Sequence, residues 1–517
     1  MPKQSNDYLF FLIKSLKPSE KRHFRLHVDS ADDKADTLYI QLFNVLDKQK
    51  SFDEQEILSK ISRLKSSQLS NLKANLYKQI LTSLRQKNKN NSAEIMLREL
   101  LDFTQVLYSK GLYKASLNML EKAKKIALNK KLNTHKYLIL EFERKIESQH
   151  ITGSMSPKAT QIISETNAVL DNITLENSLS NLSLFLYGRY LKHGYIKNED
   201  ELDKISVEFK DRLPAMDKRT ITFNQKQSLY KSYIWLYNMS QDFANSYRYA
   251  IKWVDLYEEF PGMIVHQIPN YLKARHNVLA SLFMSRREDK FIPAYTEYCN
   301  LEFTYSSFTQ NEKSLYYLYK YIHGINSFFI TGDYHLSIEF TKNLESVLKT
   351  KKYNWDNHRI IDFQYKLGCV YFGQANLDRS AFFLNKICNI VTPNFKEDIQ
   401  CYARILNLIV HFDLGNETLV SYQIKSVYRF LLKMDQLQKV LQEIFKFLRK
   451  TTQILEEDLK DEFISLRARL SILEKEAFER RPFLYLDIIS WLDSKIYNIS
   501  MQEAIKRKLS IRMLGSR

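Results

Sequence analysis

The chain of 517 residues is poor in the two amino acids that punctuate sheet proteins. It has 11 glycines and 9 prolines, whereas ordinary usage would give roughly 60 such residues in a chain of this length. Sheets need frequent turns, and turns draw heavily on glycine and proline. The shortage therefore argues against a sandwich or barrel and predicts an all-α protein of long helices with short connections.

The sequence also has little in the way of long apolar runs. No stretch of about 18 consecutive apolar residues occurs, so no transmembrane helix is predicted. The apolar run from Tyr8 to Ile13 is too short for a signal-peptide core and is followed by Lys14. We therefore interpret it as a buried helix and expect a cytoplasmic protein without membrane association.

Catalytic and metal-binding signatures are missing as well. No G-x-x-x-x-G-K-[ST], G-x-G-x-x-G, H-E-x-x-H or G-x-S-x-G motif is present. His23 and His27 lie four residues apart, but no third metal ligand accompanies them. The sequence thus predicts no enzyme activity, no catalytic residue, no metal and no cofactor. The cysteines form no C-x-x-C pair and are interpreted as buried free thiols; they are Cys299, Cys369, Cys388 and Cys401.

A helix-pair pattern recurs along most of the chain. In each copy a helix with apolar residues at helical spacing ends in a turn, and the next helix carries a small residue near its start. The clearest copy has the turn Gly332-Asp333-Tyr334, with Ser337 as the small residue. Other copies centre on the turns at Gly111–Tyr113, Gln241–Phe243, Asp289–Phe291, Asn376–Leu377 and Gly415–Glu417.

This pattern resembles the tetratricopeptide repeat (TPR), over roughly residues 95–435. The resemblance implies a TPR-like α-solenoid in which stacked pairs bury each other's faces. The period is longer than the usual value of about 34 residues, which implies longer helices. Successive spacings are 48, 43, 43 and 40 residues between the equivalent turn positions Phe243, Phe291, Tyr334, Leu377 and Glu417. The whole chain also resembles an uncharacterised bacterial family that joins a helical N-terminus to such a solenoid, and this likeness brings no known activity with it.

The domain prediction has three parts. Residues 1–92 form a basic helical segment, residues 93–435 the TPR-like solenoid, and residues 436–517 C-terminal helices with a short coiled-coil-like seam and a capping helix. The solenoid segment includes less regular helices, which are predicted over 157–172, 175–193 and 198–211.

The C-terminal seam runs from Phe463 to Ala477 in steps of three and four residues. It either packs on the helix around Val440, Ile444 and Leu448 or mediates self-association. The capping helix is predicted from Phe483 to Ile499.

The first helices of the pairs are predicted to line a groove for a partner. Aromatic residues are common anchors at interfaces, although long helices would also allow these rings to bury one another. Asn326 fits one place in the clamp that some tetratricopeptide proteins use for a peptide carboxylate, but Ile322 stands where a lysine is required. The predicted groove residues are Trp235, Asn238, Tyr319, Asn326, Phe329, Tyr365, Phe372, Tyr402 and Phe412.

The net charge of +18 is the last informative feature. It reflects either an anionic partner or a background of lysine-rich composition. No acid occurs between Glu56 and Glu94, so this segment either attracts phosphates or is a solvated face whose acids lie elsewhere in the fold. A helix-turn-helix would need its recognition helix within 66–86. The basic residues are Lys60, Arg63, Lys65, Lys73, Lys78, Arg85, Lys87 and Lys89.

Two functions follow as hypotheses. The leading one is a non-enzymatic protein–protein interaction scaffold that binds a peptide or helix in the solenoid groove. The alternative is a nucleic-acid-binding or regulatory protein that uses the basic face of residues 57–92.

Overall fold

The computed structural model describes residues 7–29, 34–90, 92–149, 155–217, 219–305, 308–390, 397–433, 439–451, 456–476, 479, 483 and 487–515. Within these ranges the protein is all-helical, as predicted, and no β-strand occurs. The first twelve helices are α1 (Tyr8–Ser15), α2 (Pro18–Asp29), α3 (Lys34–Lys48), α4 (Glu54–Lys60), α5 (Ser66–Asn88), α6 (Ala93–Ser109), α7 (Tyr113–Asn129), α8 (Asn133–Gln149), α9 (Met155–His193), α10 (Glu199–Arg212), α11 (Phe223–Met239) and α12 (Phe243–Glu259).

The remaining helices described are α13 (Gly262–His266), α14 (Ile268–Met284), α15 (Glu288–Thr304), α16 (Gln310–Thr331), α17 (Ile338–Thr350), α18 (Asn357–Gly373), α19 (Leu377–Cys388), α20 (Glu397–Asp413), α21 (Glu417–Lys433), α22 (Lys439–Thr451), α23 (Leu459–Leu473), α24 (Ile488–Tyr497) and α25 (Met501–Gly515). None of the helices described combines the length and the apolar character that a bilayer crossing requires.

The chain divides into two compact units. The N-terminal unit is Met1–Leu175 and the C-terminal unit is Glu176–Arg517, so that the boundary falls inside α9. These two units do not test the predicted boundaries at residues 92/93 and 435/436, and the three-part division remains a prediction.

The N-terminal unit contains two separate hydrophobic clusters. One joins α1 to α5 and includes the fully buried Ile13, Leu42 and Ile80. The other joins α6, α7 and α8 around Leu120 and Ile139. Residues 9–84 thus share a core of their own, which is what a small helical bundle at the N-terminus requires.

Helix α9 differs from the prediction of two helices over 157–172 and 175–193. A single helix runs through both, from Met155 to His193. The residues between the two predicted helices include no glycine or proline, so nothing interrupts the backbone hydrogen bonds. The Asn172 side chain donates to the Ala168 carbonyl oxygen at 2.8 Å and thus does not cap a helix start. The third predicted helix, over 198–211, is confirmed as α10.

Helix pairs organise the C-terminal unit. Between the helices of each pair one residue adopts a left-handed backbone, with φ from 54° to 73°. After four of these five residues, the next amide donates to a carbonyl five residues earlier and so closes the first helix. In four pairs the left-handed residue lies at the predicted turn or directly before it. The turn predicted at Asp289–Phe291 is wrong, because these residues lie inside α15 and the turn is three residues earlier, at Arg286. The left-handed residues are Gln241, Arg286, Gly332, Ala375 and Gly415.

The small residues of the second helices are confirmed as close-contact positions. Ser246, Ser337 and Ser380 are each fully buried. The Ser380 hydroxyl donates to the Gly368 carbonyl oxygen at 2.8 Å. A Cβ atom on Gly368 would lie 2.8 Å from Leu384 Cδ2, so α18 and α19 approach as closely as the sequence permits.

The C-terminal helices belong to the same hydrophobic core as the pairs. The seam residues Phe463, Leu466, Leu470 and Leu473 are buried, and α23 packs against α22 and α24. The interpretation that the seam packs on the preceding helix is therefore confirmed, whereas Ala477 lies outside the described residues.

The capping-helix prediction needs correction at both ends. Helix α24 begins at Ile488, and a further helix, α25, follows it. Helix α25 lies against the turn after α16, where Gly332 contacts Ile505 and Lys506 Nζ lies 2.8 Å from Asp333 Oδ1. These contacts join residues more than 150 positions apart, which local sequence patterns cannot reveal.

Candidate functional site

The basic residues of the N-terminal segment lie on α4, on α5 and in the turn between them, except Lys89, which directly follows α5. Helix α5 covers the range in which a recognition helix was sought, and Leu69, Leu76 and Ile80 bury one side of it. The polar side faces solvent. Lys78 and Arg85, seven residues apart, lie on one line of that side.

Half of these basic residues have polar partners. Lys60 pairs with Glu56 at 2.5 Å, Lys73 pairs with the buried Asp7, and Lys89 lies 3.6 Å from Glu99. Lys87 donates to the Ser19 hydroxyl at 2.8 Å. The expectation that acids lie elsewhere in the fold thus holds for part of the face.

The other half is exposed. Arg63, Lys65, Lys78 and Arg85 form no ion pair with any residue in the described ranges. They provide positive charge on the N-terminal unit that no neighbouring carboxylate neutralises.

The predicted groove residues are mostly inside the protein. They lie on α11, α16, α18 and α20, the first helices of pairs, as expected. Only Trp235, Asn238 and Phe412 are partly accessible. The alternative interpretation, that the side chains bury one another, therefore holds for most of the nine predicted groove residues. The buried groove residues are Tyr319, Asn326, Phe329, Tyr365, Phe372 and Tyr402.

The C-terminal helices account for part of this burial. Tyr365 and Tyr402 line a small cavity together with Val440 of α22 and Ile488 of α24. Phe412, on α20, makes edge-to-face contacts with the rings of Phe447, Phe463 and Trp491. The protein's own C-terminal helices thus cover the part of the first-helix face that α18 and α20 contribute.

A chain of hydrogen-bonded polar side chains crosses α14, α16 and α18; three of its four members are buried and His276 is partly buried. His276 Nδ1 and His323 Nε2 share a hydrogen bond of 2.8 Å. The Asn326 amide lies 3.4 Å from His323 Nδ1, and Lys366 Nζ donates to Asn326 Oδ1 at 2.6 Å. We call these four residues the polar chain.

Both histidines of the polar chain are neutral. Burial, together with the charges of Arg359, Lys366 and Lys273, lowers the pKa of His276 to about 3. Burial also holds the pKa of His323 well below its ordinary value. The hydrogen bonds agree with this state, because Asn326 donates to Nδ1 of His323 and leaves Nε2 to donate to His276.

Three cations lie beside the polar chain, and we call Lys231, Lys273 and Arg359 the cation row. Burial and, to a smaller extent, the charge of Lys273 lower the pKa of Lys231 to about 8. Burial and the charge of Arg359 lower the pKa of Lys273 as well. Each lysine is therefore destabilised by the next cation in the row. The geometry agrees for the first two, because the Lys231 ammonium lies 3.5 Å from the side chain of Asn270, three residues before Lys273 on α14.

The row is accessible at its centre. Lys273 is exposed, although the surrounding helices crowd it enough to lower its pKa. Lys231 lies deeper, with its ammonium 3.5 Å from Asn270 Oδ1 and 5.1 Å from the Trp253 ring centroid. Arg359 is partly exposed and lies 4.0 Å from Asp356, which is its only ion-pair partner among the described residues.

Sequence reasoning missed the cation row and the polar chain apart from Asn326. The histidines looked scattered, since His276 and His323 are 47 residues apart. One signal was present: Lys231 stands four residues before the predicted Trp235 and so lies on the same side of α11. The other members could be found only once the helices were placed side by side.

The structure also gives the surroundings of the cysteines and of the histidine pair considered as metal ligands. All four cysteines lie outside disulfides, with Cys369 and Cys401 buried and Cys299 and Cys388 partly buried. His23 Nδ1 lies 2.8 Å from the Ser83 hydroxyl, between α2 and α5. In the part of the chain that the structure describes, no three side chains of His, Cys, Asp or Glu are grouped so that they could hold a metal ion.

No protein-family model, no curated protein and no solved structure matches this sequence.

Proposed function

We propose that the protein is a non-enzymatic, cytoplasmic interaction scaffold in which TPR-like pairs stack as a solenoid and the first helices bind a peptide or helix of a partner protein. The binding surface is the part of the first-helix face that the C-terminal helices leave uncovered. It is formed by α11, α14 and the start of α18.

The observation that carries this proposal is the exposure and the packing of the Trp235 side chain. The Trp235 ring is partly accessible and packs against Tyr187 and Tyr190 of α9, with ring centroids 4.9 and 5.2 Å apart. Tyr319, stacked on His276 at 4.0 Å, provides a buried aromatic residue nearby on α16. Tyr187 is exposed as well. A site of mutually packed aromatic rings with accessible faces favours binding, because little side-chain freedom is lost when a partner docks.

A selection of short random peptides on the purified full-length protein tests the proposal. Enriched peptides should quench or shift tryptophan emission, and Trp235→Ala should weaken their binding at least tenfold. Tyr422→Ala is the matched control, because Tyr422 is an exposed aromatic residue on α21 (80% exposed). Enrichment that survives Trp235→Ala unchanged would place the binding surface elsewhere, and a lack of enrichment would contradict the scaffold function.

A second function, nucleic-acid binding by the N-terminal unit, is favoured by one specific observation. Arg63, Lys65, Lys78 and Arg85 are exposed and form no ion pair within the described ranges. Lys78 and Arg85 are separated by two turns of α5, a distance of about 10 Å. Such a line of charge suits a phosphate backbone, whose binding weakens steeply with salt.

Binding to random duplex and single-stranded DNA at increasing salt tests this second function. Lys78→Glu/Arg85→Glu should abolish the salt-dependent binding, whereas Lys114→Glu/Lys122→Glu, the same charge change at exposed residues of α7, should preserve most of it. Lys73 is left unchanged, because a glutamate there would face the buried Asp7. Equal losses in the two variants would show that only the total charge matters.

A further inference from the structure

The carboxylates of the described residues neutralise the cation row only in part, at Arg359. No described carboxylate forms an ion pair with Lys231 or Lys273, and the charge that acts on each of them comes from the next cation in the row. Asp356 lies at the limit of ion-pair distance from Arg359. Asp362, three residues after Arg359 on α18, acts on Lys366. The row therefore keeps an excess of positive charge.

This excess is unfavourable to the folded protein on its own. Two lysines that are crowded by helices and repelled by a neighbouring cation lose hydration without gaining a counter-charge. Substituting an uncharged side chain would remove this cost. A carboxylate that entered the row would remove it too, and would bind strongly because water is partly excluded there.

The polar chain fixes the geometry behind the row. Lys366 is buried and already bonded to Asn326, so it adds positive potential without being able to contact a ligand. His276 and His323 are neutral and hold α14 and α16 at a fixed separation. The row is therefore preorganised, and it changes little when a ligand binds.

We propose that the cation row receives the carboxylates of an acidic peptide segment, with Trp235 as the adjacent apolar contact. This inference rests on the proposed scaffold function and assigns the chemistry of its partner. The partner segment carries two or more Asp or Glu side chains and lies across α11, α14 and α18.

Two features of the row favour a peptide over a nucleic acid. Lys231 is partly buried, with its ammonium 5.1 Å from the Trp253 ring centroid, so a charge on a flexible Asp or Glu side chain suits it better than a phosphate held in the backbone of a duplex. The three cations also belong to three different helices. An extended chain that crosses the helices meets them in turn, and an apolar side chain between its acids can contact Trp235, four residues from Lys231 on α11.

The test is the peptide selection already described, repeated on Lys231→Met/Lys273→Gln/Arg359→Gln. On the wild-type protein we expect the enriched peptides to be rich in Asp and Glu. A synthetic peptide from the most enriched group should bind at least 100-fold more weakly to the triple variant and more weakly to the wild type as salt is raised. Lys425→Gln, at an exposed lysine of α21, should bind it as the wild type does.

A fold defect would not imitate this result. Because the row is unfavourable in the free protein, the triple variant should melt at the same temperature as the wild type or higher. Lys78→Glu/Arg85→Glu should also retain the acidic peptides, which separates the row from the basic side of α5.

Each contrary outcome has a distinct meaning. Enriched peptides without excess acid, bound equally by the triple variant, would overturn the acidic-partner inference and leave the scaffold function standing. A lack of enrichment on the wild type would overturn both. Single-stranded DNA that binds in a row-dependent manner, and that acidic peptides fail to displace, would assign the row to nucleic acid and overturn the inference.

Discussion

Replacing Lys231 by methionine should stabilise the protein. Burial and the charge of Lys273 lower the pKa of Lys231 from its ordinary 10.5 to about 8. At pH 7 this difference corresponds to about 3 kcal/mol by which the folded state disfavours the charged amine. Methionine keeps the unbranched stem and removes the charge.

Two effects reduce the expected gain. Solvent reaches part of the side chain and screens the repulsion. The variant also loses the contact of the ammonium with the Trp253 ring, worth about 0.5–1 kcal/mol. We therefore expect Lys231→Met to raise the free energy of unfolding by about 1 kcal/mol at pH 7, which corresponds to a melting temperature about 1–3 °C higher.

The pH dependence identifies the cause. Between pH 8 and 10.5 the unfolded chain holds the Lys231 proton and the folded protein releases it, so this group makes the wild type more stable as pH rises. The advantage of Lys231→Met is therefore complete below about pH 8 and disappears toward pH 10.5. Melting curves of the variant, the wild type and Lys425→Met measure it. A lower melting temperature at pH 7, or a pH-independent difference, would refute the reasoning.

Two further predictions concern the helix pairs and the polar chain. Gly368→Ala should lower the free energy of unfolding by about 1–3 kcal/mol, because its Cβ would lie 2.8 Å from the fully buried Leu384. Gly188→Ala is the control: a Cβ there, on α9, meets nothing within 4 Å, so this variant should be more stable than the wild type in denaturant unfolding. Equal effects of the two variants would contradict the close approach of α18 and α19. His276 and His323 should keep the NMR signals of neutral imidazole from pH 8 down to pH 5, because burial lowers both pKa values. As pH falls from 6.5 toward 3, the unfolded chain binds a proton at His276 before the folded protein does, so the free energy of unfolding should decrease. A His276 signal that titrates near pH 6 would contradict the prediction, because it would show that this ring is hydrated.

The helix pairs could be predicted from the sequence because their determinants are local. A turn residue, an apolar face and a small residue such as Ser380 lie within about 20 positions of one another, and each has a direct physical role in packing one helix on the next. The same reasoning failed at α9. There the sequence has no strong helix-breaking residue, and continuous hydrogen bonding prevailed over the expected interruption.

The candidate site was predictable only in part. The first helices could be identified, and Trp235 and Asn238 lie on the accessible part of their face. The burial of Tyr365 and Tyr402 could not be foreseen, because it depends on α22 and α24, which follow them by dozens of residues. Which aromatic side chains stay accessible is decided by what folds back over them.

The sequence by itself determined that this protein is helical, paired and basic, because helix propensity, periodicity and charge are properties of neighbouring residues. Only the tertiary structure decided which charges are neutralised. Lys73 and Lys231 look alike in the sequence, yet one meets a buried carboxylate and the other meets a second lysine. Electrostatic environment depends on distance in space, and packing brings together residues that are far apart along the chain.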